Sequence, residues 1–393
     1  MLKTKVSIVK ASNYESRNIY QALKKSLDLL GGLEKMIKPG MRVFVKINHL
    51  SSSPPEKAVN TNPDFARQLL KILKEHRVEI TMGDDIYSEK SDGFIVSGYR
   101  QMCEEMDVRL VNLKEIGFKE VDCRGEVLEK VYISPLVLES DLVINLPKLK
   151  THSFTIFTGA VKNMFGAIPH GRRLNYHRLY SRLEVFSQML VDIFSCAPPQ
   201  LTIMDAVIGM EGEGPSAGHP RKVGLILSSR DGVALDAVAS KIVGFNPLDI
   251  FTTYYAHQRG LGTGKIEEIE ILGEKINEVE VRDFKHSAIA LGFLRRKLPA
   301  FLYAYLQDQL TLIPEIKSKE CTECLDCVRI CPTGAAKHVP GFAWIDQPLC
   351  IHCMCCHEIC RYRAVKLKMK PIGYVLRKLV SFYQKIYFLF NKK

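Results

Sequence analysis

The sequence holds no apolar run long enough to cross a bilayer before a charge interrupts it. Its start, MLKTKVSIVKA, alternates like a strand and carries neither the apolar core of a secretion signal nor a twin-arginine pair. A P-loop is missing, and no G-x-G-x-x-G opens a helix after the first strand, so nothing supports nucleotide binding. Acidic residues are absent from Arg361 to Lys393, where ten Lys or Arg stand. Removing those ten from the net charge of +12 leaves +2 for everything before them. The basic character is therefore local to the tail, which argues against a general nucleic-acid binder. A disulfide framework belongs to short secreted chains, and at 393 residues this chain has room for two or three domains. The expectation is a cytoplasmic protein with reduced cysteines.

Cysteine itself is plentiful, and eight of the twelve fall into two copies of one spacing. The first is Cys321-x2-Cys324-x2-Cys327-x3-Cys331-Pro332, and the second is Cys350-x2-Cys353-x2-Cys356-x3-Cys360. A [4Fe–4S] cube needs four thiolates converging on one object. Short x2 turns bring three sulfurs of one loop to one cluster, and the cysteine after the x3 step reaches the other. The expected sets are Cys321, Cys324, Cys327 and Cys360 for one cluster, and Cys350, Cys353, Cys356 and Cys331 for the second. Zinc ribbons instead use two separated C-x2-C pairs. Cys355 is an extra thiol. Because Cys356 keeps the spacing, Cys355 is expected to be packed and free. His352 and His357 read as surface residues or as neighbours behind the ligands. Residues 317–368 resemble a bacterial-type two-cluster ferredoxin domain, with one departure: Arg361 stands where a second proline usually follows.

Residues 1–285 alternate apolar strands with amphipathic helices, which predicts an α/β domain with a mainly parallel sheet. Strands are expected at Lys5–Val9, Val43–Ile47, Val78–Met82, Val108–Val111, Leu142–Leu146, Leu201–Met204 and Val223–Leu227, with a hairpin over 118–135. Residues 286–316 read as a helical connector interrupted at Pro299. A small α+β ferredoxin-type unit follows over 317–368, then a basic amphipathic tail helix over 369–393.

Open α/β sheets bind ligands outside the carboxyl ends of their strands. Just past those ends come Lys46, Asn48 and His49, then Asp84 and Asp85. Further on come Lys148, Lys150, Thr151 and His152, then Asp205 and a glycine-rich loop, Gly209–Gly218, with Glu211. The segment 145–177 is the densest, adding Lys162, Asn163, His170, Arg172, Arg173 and His177 around a helix expected to begin near Phe154. Cations mixed with Gly, Thr and aromatics suit a carboxylate or phosphate pocket. Lys148, His152 and Glu211 are the candidate catalytic residues. Lys46, Asn48, Asp84, Lys150, Lys162 and Asn163 are the candidate substrate-binding residues. Asp236 reads as part of a core helix.

VFVKINHL (43–50), Gly83-Asp84, VINLPKLKTHSFTIFTGAVKNMFGAIP (143–169), MDAVIGMEGEGPSAG (204–218) and ALDAVASKIVGFNPLDI (234–250) together resemble the DUF362 family. The likeness spans most of residues 1–285, and position 47 is Ile where members often have Pro. It implies an iron–sulfur or redox role without a defined reaction. Two functions compete. In one, electrons pass through two [4Fe–4S] clusters from a donor protein to a small anionic substrate in the α/β domain. In the other, the chain is a non-catalytic carrier or adaptor bound to a redox partner. The tail, with Phe382, Tyr383, Tyr387, Phe388 and Phe390, suits peripheral contact with an anionic membrane or packing on the connector. Nucleic acid ranks below both.

Overall fold

The computed structural model describes residues 3–86, 93–287, 299–376 and 378. A ten-stranded sheet dominates it. Across the sheet the strands run Ile269–Gly273, Thr4–Lys10, His219–Ser229, Leu201–Glu211, Leu142–Leu146, Arg42–Ile47, Glu79–Asp84 and Arg109–Asn112. Every pairing from Leu201–Glu211 to Arg109–Asn112 is parallel. His219–Ser229 pairs antiparallel with both of its neighbours. The mainly parallel α/β expectation therefore holds, with His219–Ser229 inserted antiparallel within this row of strands.

Both faces of the sheet are covered, which is why LVINL is buried at every position. On one face Ile19, Leu23 and Leu27 of helix Ser16–Leu29 pack with Phe65, Leu69 and Leu73 of helix Pro63–Glu75. Asn62 caps the second helix by accepting from the Asp64 N–H, and Pro63 supplies its first residue without losing a needed donor. On the other face lie helices Leu183–Cys196 and Gly232–Ile242. Asp236 does more than fill that core. Its carboxylate accepts from the N–H groups of Ala160 (2.6 Å) and Val161 (3.0 Å), capping the short helix Ala160–Asn163 from across the domain. Burial outweighs those two hydrogen bonds and pushes its pKa up to about 7.

The segment expected to start a helix near Phe154 is instead a strand pair, Lys148–His152 with Ile156–Thr158. Ile156 turns the chain at φ 70°. Lys148–His152 also adds to Leu201–Glu211, setting Lys148 opposite Asp205. Thr151, Thr155, Ile156 and Thr158 are β-branched and suit strands better than a helix. The glycine-rich stretch is shorter as a loop than expected, because the strand runs on through Gly209 to Glu211.

Helix Ala300–Leu310 starts directly behind Pro299, the position read as an interruption of the connector. Past that helix, Leu312–Ile316 pairs antiparallel with Val365–Met369. The stretch read as the end of a connector is thus a strand closing the cysteine-rich unit, whose other two strands are Ala336–Val339 and Phe342–Ile345. Residues 371–376 are helical and lie against helix Ala300–Leu310, where a Cβ on Gly373 would meet the Gln309 carbonyl. The connector residues Leu291, Phe293, Leu294 and Leu298 and the tail aromatics from Phe382 onward lie outside the described residues.

Candidate functional site

The 29-residue offset between the cysteine runs is repeated in the backbone. Helices Asp326–Ile330 and Cys355–Ile359 occupy equivalent places, as do the single turns Ser318–Glu320 and Gln347–Leu349. Left-handed residues recur at matching positions, Glu323 and Leu325 against His352 and Met354. Such turns fold each loop tightly enough to aim successive thiols inward. Burial pushes Cys327 up to about 12, helped by the nearby thiols of Cys360, Cys324 and Cys321. Cys356 is raised by burial and then by Cys353, Cys350, Cys327 and Cys331. The neighbours of each central thiol thus include the set that the spacing predicts. No three His, Cys, Asp or Glu side chains among the described residues close on a single ion. Arg361, in the proline's place, reaches Asp326 at 3.3 Å and ties the second run to the first.

In the α/β part the predicted residues divide into two groups. Lys46 is fully buried on Asp84 at 2.7 Å, and Asp84 also accepts from the N–H groups of His49 and Asp85. Lys148 is 1 % exposed and bonds Asp205 and the Tyr14 hydroxyl, both at 2.7 Å. Asp205 further accepts from Tyr14, Asn62 and Val207. Asn163 holds Asn145 and the Ile47 carbonyl. Glu211 is held by Lys285 through the backbone N–H at 3.1 Å. These groups are engaged within the fold. Asn48 is half-buried, with a side-chain oxygen that has no hydrogen-bond partner.

Lys150, His152 and Lys162 form the second group, and they converge on a residue of the cysteine-rich unit, Glu358. His152 Nε2 lies 3.4 Å from its carboxylate. His152 Nδ1 accepts from the Phe154 and Thr155 N–H groups, so that nitrogen carries no proton. Burial, then Lys162, holds His152 well below the ordinary histidine range, and the ring is neutral. Lys150 donates to the Val59 carbonyl at 2.7 Å. Burial and then Lys162 lower it to about 7, so it exchanges protons near neutrality. Burial also lowers Lys162, opposed by the charge of Glu358.

Beside this cluster is a cavity of about 90 Å³. One wall is Lys162, Phe165 and helix His170–Leu179, which supplies Arg173, Leu174 and His177. The facing wall is Ile330, Cys355, Glu358 and Ile359, from the cysteine-rich unit. Leu174 packs directly against the apolar group of Ile330, Cys353 and Cys355. The loop after Glu211 clamps the same unit: Ser216 donates to the His357 carbonyl at 3.4 Å, and Arg363 donates to Gly218 at 3.0 Å. Cys355 is thus packed, as expected, and it shares a side-chain hydrogen bond with Cys353. Sequence reasoning put Arg173 and His177 in the cationic segment without choosing them as binding residues, and it left Glu358 out. Glu358 carried a usable signal, an acid between two cluster cysteines in an otherwise basic stretch.

A parallel-sheet domain with charged groups at its strand ends is clamped onto a duplicated cysteine unit, a two-part architecture. The family described as a domain of unknown function, DUF362, matches residues 43–241. A thylakoid-associated protein of Synechocystis sp. is 31% identical over 258 residues, covering 65% of this chain and 79% of that protein. The chain belongs to the DUF362 family. Its cysteine-rich part is similar to other proteins. A probable iron–sulfur subunit of the Frd operon of Proteus vulgaris is 35% identical over 63 residues, 16% of this chain and 38% of that one. The electron transport protein HydN of Escherichia coli is 35% identical over 54 residues, 13% of this chain and 31% of that protein.

Proposed function

We propose that the chain is an iron–sulfur oxidoreductase that passes electrons through two [4Fe–4S] clusters to a small anion held in the seam cavity. The observation that carries this reading is the cavity's position. Its floor is Cys355, the chain neighbour of the expected ligand Cys356, and its opposite wall carries Lys162. Electron transport by relatives of the cysteine-rich part supports the iron–sulfur half. Cys321, Cys324, Cys327 and Cys360 would hold one cluster, and Cys350, Cys353, Cys356 and Cys331 the other. Bound clusters supply single electrons, and the chain's own groups do the rest. Lys162 attracts the anion, while Lys150 exchanges a proton at the cavity edge and the neutral His152 stands beside Glu358. Lys148 and Glu211 position the strands that carry these groups.

The test uses dithionite-reduced holoprotein mixed anaerobically with the small-molecule fraction of its host's extract, with cluster bleaching followed by visible absorbance. Wild type is expected to reoxidise, and Lys162→Met to do so about tenfold more slowly or worse, with unchanged reduction by dithionite. Reoxidation by a protein fraction alone, at equal rates in both, points to the carrier reading and removes this one.

Membrane contact is a separate property proposed for the tail. Phe301, Tyr305, Ile372, Tyr374 and Val375 are exposed on the two packed helices before it, and no helix among the described residues is long and apolar enough to cross a membrane. Anionic vesicles should float the full chain and leave behind a chain ending at Lys368; equal flotation removes the proposal.

A further inference from the structure

The chemistry of the cavity wall narrows what it can hold. Lys162 has the Phe165 ring at 5.8 Å, and among the described residues no carboxylate lies within ion-pair distance of it. His177 is 5 % exposed, and its Nδ1 is buried without a hydrogen-bond partner. Arg173 holds Asp85 through Nη2 at 2.7 Å, while its Nε is likewise buried and unpartnered. A buried polar atom left without a partner is costly, so two such atoms on residues lining one cavity mark a place where a ligand completes the bonding.

Charge sets the ligand's valence. Asp85 pairs with Arg173, and Glu358 faces Lys162 across the cavity, so a dianion would meet a carboxylate on either wall. Size and polarity set the remainder. A space of about 90 Å³ is room for a few waters or a small ligand. Beside the polar Asp85, His170 and Glu358, a largely apolar side is given to it by Leu50, Leu174, Ile330 and Ile359. A second charge on the ligand would be pressed against those side chains without a partner.

We infer that the cavity binds a short-chain monocarboxylate, its carboxylate met by Lys162, His177 and Arg173 and its aliphatic end covered by Leu174, Ile330 and Ile359. This rests on the reading of the cavity as the ligand site, and it goes further by naming the ligand class and two recognition residues. A phosphate dianion fits poorly, since it needs donors on every side and would leave the apolar wall wet.

Calorimetry on anaerobic holoprotein with butyrate, butyramide, succinate and inorganic phosphate tests it. Butyrate is expected to bind saturably, with butyramide at least about tenfold weaker because the charge-assisted bonds are lost. Lys162→Met and His177→Phe are each expected to weaken butyrate by about tenfold or more. Lys162→Arg, which keeps the charge, should restore most of the loss. Unchanged visible cluster spectra in these variants separate lost binding from lost folding. Tighter binding of phosphate or succinate, no saturable binding of butyrate, or indifference to both substitutions overturns the inference. Because binding is read with no electron transferred, the two readings separate. Butyrate binding as expected beside Lys162-independent reoxidation would sink the oxidoreductase reading and leave this one standing.

Discussion

Asp205→Ala is expected to cost about 3–5 kcal/mol of folding stability, the range for removing one partner of a buried ion pair. The reason is the number of groups Asp205 satisfies. Its carboxylate holds the buried Lys148 ammonium at 2.7 Å and the Tyr14 hydroxyl at 2.8 Å, and it accepts from the N–H groups of Asn62 and Val207. Desolvation pulls Lys148 down while Asp205 holds it up, so loss of the carboxylate leaves a cation in the core with a single hydroxyl partner. Lys148→Met should cost less, since Met replaces the stem and removes the charge. Urea unfolding of holoprotein gives both numbers. A loss under about 1 kcal/mol for Asp205→Ala would mean the pair is open to water. Lys148 would then be available as the catalytic group its place after Leu142–Leu146 suggested.

Cys356→Ser and Cys355→Ser are expected to differ sharply although the residues are adjacent. Cys356 has Cys353, Cys350 and Cys331 around it, and its loss should remove one cluster, dropping bound iron from about eight to about four atoms per chain. Cys355 faces the cavity and should leave the iron count unchanged. Iron and labile sulfide analysis after anaerobic reconstitution distinguishes them. The reverse pattern would shift the ligand set by one residue and take the free thiol out of the cavity floor.

The cysteine-rich unit was legible in outline, because its repeated spacing returns as repeated helices and turns in the backbone. The parallel core was legible as well: strands buried on both faces read as unbroken apolar runs, as in LVINL at 142–146. The candidate site was only half legible. Position after a strand marks Lys46, Lys148 and Lys150 alike, but it cannot say which meets an internal carboxylate. Asp84 and Asp205 take the first two, through contacts 38 and 57 residues apart in sequence. The other wall of the cavity comes from residues 330–359, brought there by docking that no local pattern encodes. The 148–158 strand pair was missed because its lysines and histidine hid the β-branched residues that shape it.

Reduction potentials of the two clusters, in wild type and in Lys162→Met, address most directly whether the cavity and a cluster share one electrostatic neighbourhood. Removing a cation disfavours the more negative reduced state. A unit charge roughly 10–15 Å away at an effective dielectric of about 20 is worth on the order of 50 mV. The cluster held by Cys350, Cys353, Cys356 and Cys331 is expected to fall by about that much, with the other shifting far less. Equal shifts in both clusters, or none in either, would contradict a substrate site built against the second cluster.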